Sequence, residues 1–157
     1  MNQPRLRQFS TIYLASDHAG FALKEEVKAW LLAENFVVID GGAESFDGED
    51  DFTDYVIPVV RAMVDDHVAE AAAIVFGGSG QGEAMAANRI RGARAIVYYG
   101  GEKRIPGLGR EHNHANVLSV GARFVSTDEA KWAIWEWLHT EPLHDSKYNR
   151  RNQALDE

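Results

Sequence analysis

Cysteine does not occur anywhere in the 157 residues. That excludes disulfides, thiolate nucleophiles and cysteine-held metals, and it agrees with a reducing cytoplasm, the expected location. No apolar run approaches the roughly 20 residues that a membrane-crossing helix needs, so no membrane partner is expected. Residues Met1 to Arg7 have no apolar segment behind them, and no signal peptide is expected. Positive charge is scarce: 16 Lys and Arg stand against 24 Asp and Glu, a net charge of −8 at pH 7. Nucleic-acid binders draw their affinity mainly from phosphate neutralisation, so no nucleic-acid partner is expected. A site for a small anion must then be a local basic cluster on an acidic surface. Internal repeats and low-complexity stretches are also missing. With 45% apolar and 25% charged residues, the chain reads as one domain over 1–157 with a proper core.

What the chain does have is one glycine-rich stretch, Ile74-Val75-Phe76-Gly77-Gly78-Ser79-Gly80-Gln81-Gly82-Glu83, running into Ala84-Met85-Ala86-Ala87. An apolar strand ends there, four glycines follow within six residues, and a helix-favouring run begins. Such a turn cradles anions, because glycine lets a ligand approach the backbone and its N–H groups are unpaired. It is not a dinucleotide fingerprint: the spacing is G-x-G-x-G and the strand is the third, not the first. No Gly-Lys-Ser/Thr closes it as a Walker loop. Glu83 is unexpected beside an anion. Either it is an acid in a first helical turn, favoured by the dipole, or it removes a proton to create an oxyanion that the turn then holds.

Apolar runs predict strands at Thr11–Ala15, Phe36–Ile39, Ala71–Phe76, Ala93–Tyr99 and Val117–Val120. Helical spacing runs through Leu23, Val27, Trp30 and Leu31, through Val56 to His67, and over Thr127–His139 with Thr127 as N-cap. The acidic stretch Glu44 to Asp54 and the Gly100 to Gly109 segment read as loops. The helix over 127–139 is apolar nearly all round through Trp132, Ile134, Trp135, Trp137 and Leu138, which suggests a subunit interface. Pro142 breaks the pattern, and Asp145–Leu155 forms a last polar helix or tail. Alternation of apolar strands and helices predicts an α/β fold, a three-layer α/β/α sandwich around a Rossmann-like five-stranded parallel sheet. Ligands then bind at strand carboxyl ends, where Ser16–Gly20, Gly77–Glu83 and Gly121–Arg123 lie.

Three segments agree with one family: Ser16-Asp17-His18-Ala19-Gly20 with Leu23-Lys24; Gly77 to Arg89; and Arg110-Glu111-His112-Asn113-His114-Ala115-Asn116-Val117-Leu118. In this order they resemble the ribose-5-phosphate isomerase B family, which includes galactose-6-phosphate isomerase subunits, over about Ile12 to Leu155. The resemblance implies a homodimer or tetramer with shared active sites and metal-free aldose–ketose isomerisation of a sugar phosphate through a cis-enediolate. No cofactor and no metal are expected. Many members carry a cysteine base at the position of Gly77; another branch has Gly-Gly-Ser-Gly-x-Gly-Glu, as here, and uses the glutamate.

By that resemblance Glu83 is the base, with the N–H groups of the Gly78, Gly80, Gln81 and Gly82 loop as oxyanion donors. The helix dipole would keep Glu83 ionised while weakening it as a base. Ser79 holds a substrate oxygen, or simply bonds the backbone of a tight turn. His112 opens the sugar ring, since imidazole titrates near neutrality, and Asn113 binds a hydroxyl. The His112-x-His114 spacing lacks any carboxylate motif to support a metal. Asp17 faces the ring and His18 the phosphate; Asp17 could equally be a helix N-cap. Arg123 and Arg151 match phosphate ligands. Lys147 stands where an arginine is usual and Tyr148 where a histidine is, in a tail (142–157) that would reach a partner subunit. Phe52 and Thr53 depart from an Asp-Tyr-Pro-Asp pattern. The expected reaction is ribose 5-phosphate to ribulose 5-phosphate. Tetrose, allose or galactose phosphates are alternative substrates, and a non-catalytic sugar-phosphate binding module is an alternative of a different class.

Overall fold

A computed structural model describes residues 5–157. Residues 1–4, the first four of the expected domain and most of the stretch read for a leader, lie outside the described residues. The strands are β1 (Thr11–Ser16), β2 (Val37–Asp40), β3 (Ala71–Gly77), β4 (Ala95–Tyr98) and β5 (Val117–Gly121). The helices are α1 (Phe21–Ala33), α2 (Thr53–Asp65), α3 (Gln81–Ala87), α4 (Ile105–Asn113), α5 (Thr127–His139) and α6 (Ser146–Leu155). All strands are parallel, in the order β2-β1-β3-β5-β4.

The strands' two-residue period sorts the core into two layers. Ile12, Leu14, Ile74 and Phe76 face one side, against Leu23, Val27 and Leu31 of α1 and Ala130, Ile134 and Trp137 of α5. Tyr13, Ala15, Ala73 and Val75 face the other, against Val56, Val60 and Met63 of α2 and Ala86 and Ala87 of α3. The sandwich expected from the sequence is therefore the one observed. From β1 the chain first crosses to β2, then returns to the other side of β1 for β3. The crevice between the β1 and β3 carboxyl ends is thus the topological switch point, where ligands bind in open α/β sheets.

Two local expectations need correction. The segment expected as a loop up to Gly109 contains α4, which begins at Ile105 with Pro106 in its first turn. Gly107 and Gly109 hid it, because glycine lowers helix propensity. Gly109 is needed there: a Cβ would strike the Ile96 side chain of β4. The N-cap of α5 is Ser126, whose hydroxyl accepts from the Glu129 N–H, not Thr127. The aromatic side chains of α5 also have partners within the chain. Trp137 stacks on Phe9, Trp135 lies against Trp30 and His139, and Trp132 sits beside Tyr98 under the Lys103 ammonium.

Lys24 is fully buried and donates to Asp40 at the end of β2, at 2.8 and 3.0 Å. Burial alone would raise the Asp40 pKa, but hydrogen bonds from Lys24, Lys28 and the Gly42 N–H hold it below the ordinary value. Stability from this pair is therefore present at neutral pH and is lost as pH falls through the depressed pKa. Lys24→Met should cost on the order of 2 kcal/mol, less than a fully broken buried pair because Lys28 still holds Asp40, read as a lower urea midpoint.

Candidate active site

Three adjacent strands, β1, β3 and β5, end level with one another: Ser16 pairs with Phe76, and Gly77 with Gly121. Their following turns therefore meet over the switch-point crevice, and they carry Asp17 and His18, Ser79 to Glu83, and Arg123. Glycine permits this convergence. A Cβ on Gly20 would overlap the Phe76 backbone, and one on Gly121 would meet the Ser79 carbonyl at 2.6 Å. Gly80 takes a left-handed φ of 78°, and its carbonyl accepts from the Ser119 hydroxyl at 2.6 Å.

Glu83 is 5% exposed. Its carboxylate lies on Gly77, so closely that any Cβ at position 77 would overlap it. Burial raises its pKa; a bond from its own N–H opposes this and the Asp17 charge adds to it. The expectation of a base weakened by the helix dipole is thus reversed, because desolvation dominates in this pocket. Beside it, the N–H groups of Ser79, Gly80 and Gly82 find no acceptor among the described residues. The Gln81 N–H points at the Ser79 hydroxyl at 3.4 Å, the local turn bond that Ser79 was expected to make if it did not hold a substrate. Phe52 packs its ring on Gly82, so this departure from the family pattern touches the glycine turn.

Asp17 does not cap α1, whose N-cap is Gly20. Its carboxylate accepts instead from the Ala19 and Gly20 N–H groups at 3.0 and 3.3 Å, fixing the turn. His18 is held by Asp50, one of whose oxygens accepts both the His18 backbone N–H (2.9 Å) and its ring Nδ1–H (2.7 Å). That bond raises the His18 pKa above 6.5. Burial opposes it, the Asp17 and Asp50 charges assist, and Arg123 opposes. His18 and Arg123 thus make a basic pole, with the Arg123 guanidinium lying along Gly78. Asp17, His18 and Asp50 bring ligand atoms within 4.8 Å of one another, the only such grouping among the described residues. With Nδ1 committed to Asp50 and Arg123 facing it, this group suits an anion rather than a cation. Asp50→Asn should move the His18 titration midpoint down towards 6.5, read from its ring Cε1–H NMR shift; an unmoved midpoint would refute the assignment.

A second set of expected residues lies at the other end of the sheet. His112 and Asn113 close α4 just before β5 begins, and Arg94, at the foot of β4, donates to the Asn113 and His114 carbonyls. Buried Arg110 donates to the Ala115 carbonyl at 2.7 Å and stabilises this turn. Its pKa is pushed down to about 10 by burial and by Arg94. The tail packs here on its own chain: Asn152 donates to the His112 carbonyl at 2.9 Å, and Arg94 pairs with Asp156. Lys147 and Arg151 of α6 are exposed. His114 bonds the Leu143 carbonyl while His112 stacks on Tyr148, so the two histidines diverge rather than face one metal.

The fold therefore gathers Asp17, His18, Ser79, Glu83, Arg123 and the glycine turn, and separately gathers His112, Asn113, Lys147 and Arg151. It does not unite the two sets within one chain. Ala73 pairs with Val117 at one end and Gly77 with Gly121 at the other. At about 3.3 Å per residue this span of strand alone separates them by about 13 Å. Asp50 is the functional residue that sequence reasoning missed. It sits 32 residues from His18 within an acidic loop, and nothing local marks it among its neighbours.

A profile of the Ribose/Galactose Isomerase family matches residues 12–155. Ribose-5-phosphate isomerase B of Mycolicibacterium paratuberculosis is 36% identical over 146 residues, covering 93% of this chain and 89% of that protein. Among solved structures, ribose 5-phosphate isomerase B of Anaplasma phagocytophilum superposes with a TM-score of 0.86 at 31% identity, over 96% of this chain and 99% of that one. The enzyme of Mycoplasma genitalium, solved with bound ribulose 5-phosphate, gives 0.85 at 29%, over 93% of each.

Proposed function

The chain belongs to the ribose/galactose isomerase family, and we infer from this premise that it is an aldose–ketose isomerase interconverting ribose 5-phosphate and ribulose 5-phosphate. The observation that carries the mechanism is the buried Glu83 carboxylate, set on a glycine beside unpaired N–H groups. Glu83 takes the C2 proton of the open-chain aldose. The C2–H electron pair becomes the C1=C2 bond, and the aldehyde oxygen takes the negative charge of a cis-enediolate. The Ser79, Gly80 and Gly82 N–H groups stabilise that charge; one such donor is typically worth about 3 kcal/mol. Transfer of the O2 proton to O1 and return of the Glu83 proton to C1 give the ketose. A base with a raised pKa holds that proton well enough to redeliver it. His18 and Arg123 take the phosphate.

The remaining groups come, in this reading, from a second copy of the chain in a homodimer. The opposite placement of the two residue sets supports this, since neither set alone can open the ring, move the proton and hold the phosphate. Met85 of α3 is 67% exposed and, with Arg89 and Val97, lines a groove of about 360 Å³ along the β4 edge, which leaves that flank available to a second copy. A cysteine-free chain suits the cytoplasm, where we place it.

Solvent-proton exchange tests the reading. Incubation with ribose 5-phosphate in D2O should place deuterium on the carbon skeleton and form ribulose 5-phosphate, followed by NMR. Tetrose and hexose phosphates serve as the comparison, because Phe52 against the glycine turn is the feature through which another sugar would be chosen. Exchange with another sugar alone would keep the mechanism and move the substrate. Phosphate-dependent binding without any exchange would leave a binding module.

A further inference from the structure

Tyr148 is one of two tail residues that depart from the family pattern, and its ring has a definite use. It lies flat on the His112 imidazole, with centroids 4.8 Å apart and planes 9° from parallel. The Lys147 ammonium is 4.8 Å from the Tyr148 ring centre. One helical turn on, buried Asn152 holds the His112 carbonyl at 2.9 Å. Residues 148 and 152 share one stripe of α6, and residues 147 and 151 share the neighbouring stripe. One stripe thus grips α4 of its own chain while the other leaves two cations exposed. Stacking fixes a ring's plane and leaves its edge open. Among the described residues neither His112 ring nitrogen has a hydrogen-bond partner, so Tyr148 supplies the ring's side-chain restraint.

We propose that Tyr148 is a positioning residue, stacked on His112 so that the imidazole edge is presented to the sugar ring at a fixed angle. This rests on the reading that His112 opens the ring. In that step the O1–H proton leaves, the C1–O4 bond breaks as C1=O forms, and O4 takes up a proton. One imidazole can accept the first proton and deliver the second only if its nitrogens reach both oxygens, and a freely rotating ring loses that alignment. A tyrosine ring covers an imidazole more fully than a histidine would and has no ring nitrogen to compete for either proton.

The test uses the difference between the two sugars. Ribose 5-phosphate is mostly a closed ring. Ribulose 5-phosphate has its C5 oxygen esterified and stays open, so deuterium exchange at its C1 needs no ring chemistry. In Tyr148→Ala, conversion of ribose 5-phosphate should fall on the order of tenfold to a hundredfold while C1 exchange of ribulose 5-phosphate in D2O stays near wild type. Tyr148→Phe, which keeps the stacking ring, should restore conversion. If Tyr148 merely anchors α6, its loss would displace Lys147 and Arg151. KM would then rise for both sugars and both rates would fall together, which overturns the proposal. Unchanged conversion in Tyr148→Ala also overturns it. Wild-type protein that exchanges no proton with either sugar overturns the isomerase reading itself, separately from any effect of Tyr148.

Discussion

Glu83→Gln is expected to lower kcat for ribose 5-phosphate by about a thousandfold, the middle of the range for loss of a general base, with little change in KM. Glutamine keeps the shape but cannot accept the C2 proton, and the basic pole at His18 and Arg123 is untouched. The fold should not suffer. Burial raises the Glu83 pKa, so the folded chain binds that proton more tightly than the unfolded chain does. Its contribution is favourable at low pH and is lost as pH rises through the raised pKa. At neutral pH the ionised carboxylate is a cost to the native state. The variant should therefore melt at the same temperature as wild type or higher while being nearly inert. Loss of activity together with loss of Tm would instead mark Glu83 as structural. The acid limb of the wild-type pH–rate profile should lie above 4.5, the ordinary value for this carboxyl. Gly77→Ala gives an independent check, since its methyl would occupy the space of the Glu83 carboxylate and should impair turnover with residue 83 unchanged.

The same overlap explains why a cysteine at the Gly77 position and a glutamate at the Glu83 position read as alternatives. A base carried on residue 77 and a carboxylate folded back onto it require the same space. The sequence carried both halves of that fact, a glycine and a glutamate six residues apart, but not that the helical turn would bring them into contact. The sheet was more legible, because β1, β3 and β5 are mostly apolar runs of the kind that doubly covered parallel strands show. The α4 helix was not, since two of its nine residues are glycines and the reason for one of them is a β4 side chain. The residues Asp17, His18, Glu83 and Arg123 could be grouped from the rule that ligands sit at strand carboxyl ends. His112 could not. Its expected role came from resemblance, and its position before β5, at the opposite end of the strands, follows only from the chain's path.

That position leads to the second large effect. Glu83→Gln and His112→Ala should each be nearly inactive as pure proteins, and mixing them under conditions that exchange subunits should restore activity. In a mixed dimer one site pairs the two altered residues and is dead. The other pairs an intact Glu83 from one subunit with an intact His112 from the other. With random exchange, half the dimers are mixed and one of their two sites works, so recovery should approach about a quarter of wild-type activity. The same mixture kept below subunit exchange should stay inactive. If both residues served a site within one chain, every chain would carry a defect and no mixing could produce a working site. The outcome therefore distinguishes the two arrangements by presence or absence of turnover, not by degree. It would also explain why α6 grips its own α4 while exposing Lys147 and Arg151: the tail fixes His112 for a site that its own chain does not complete.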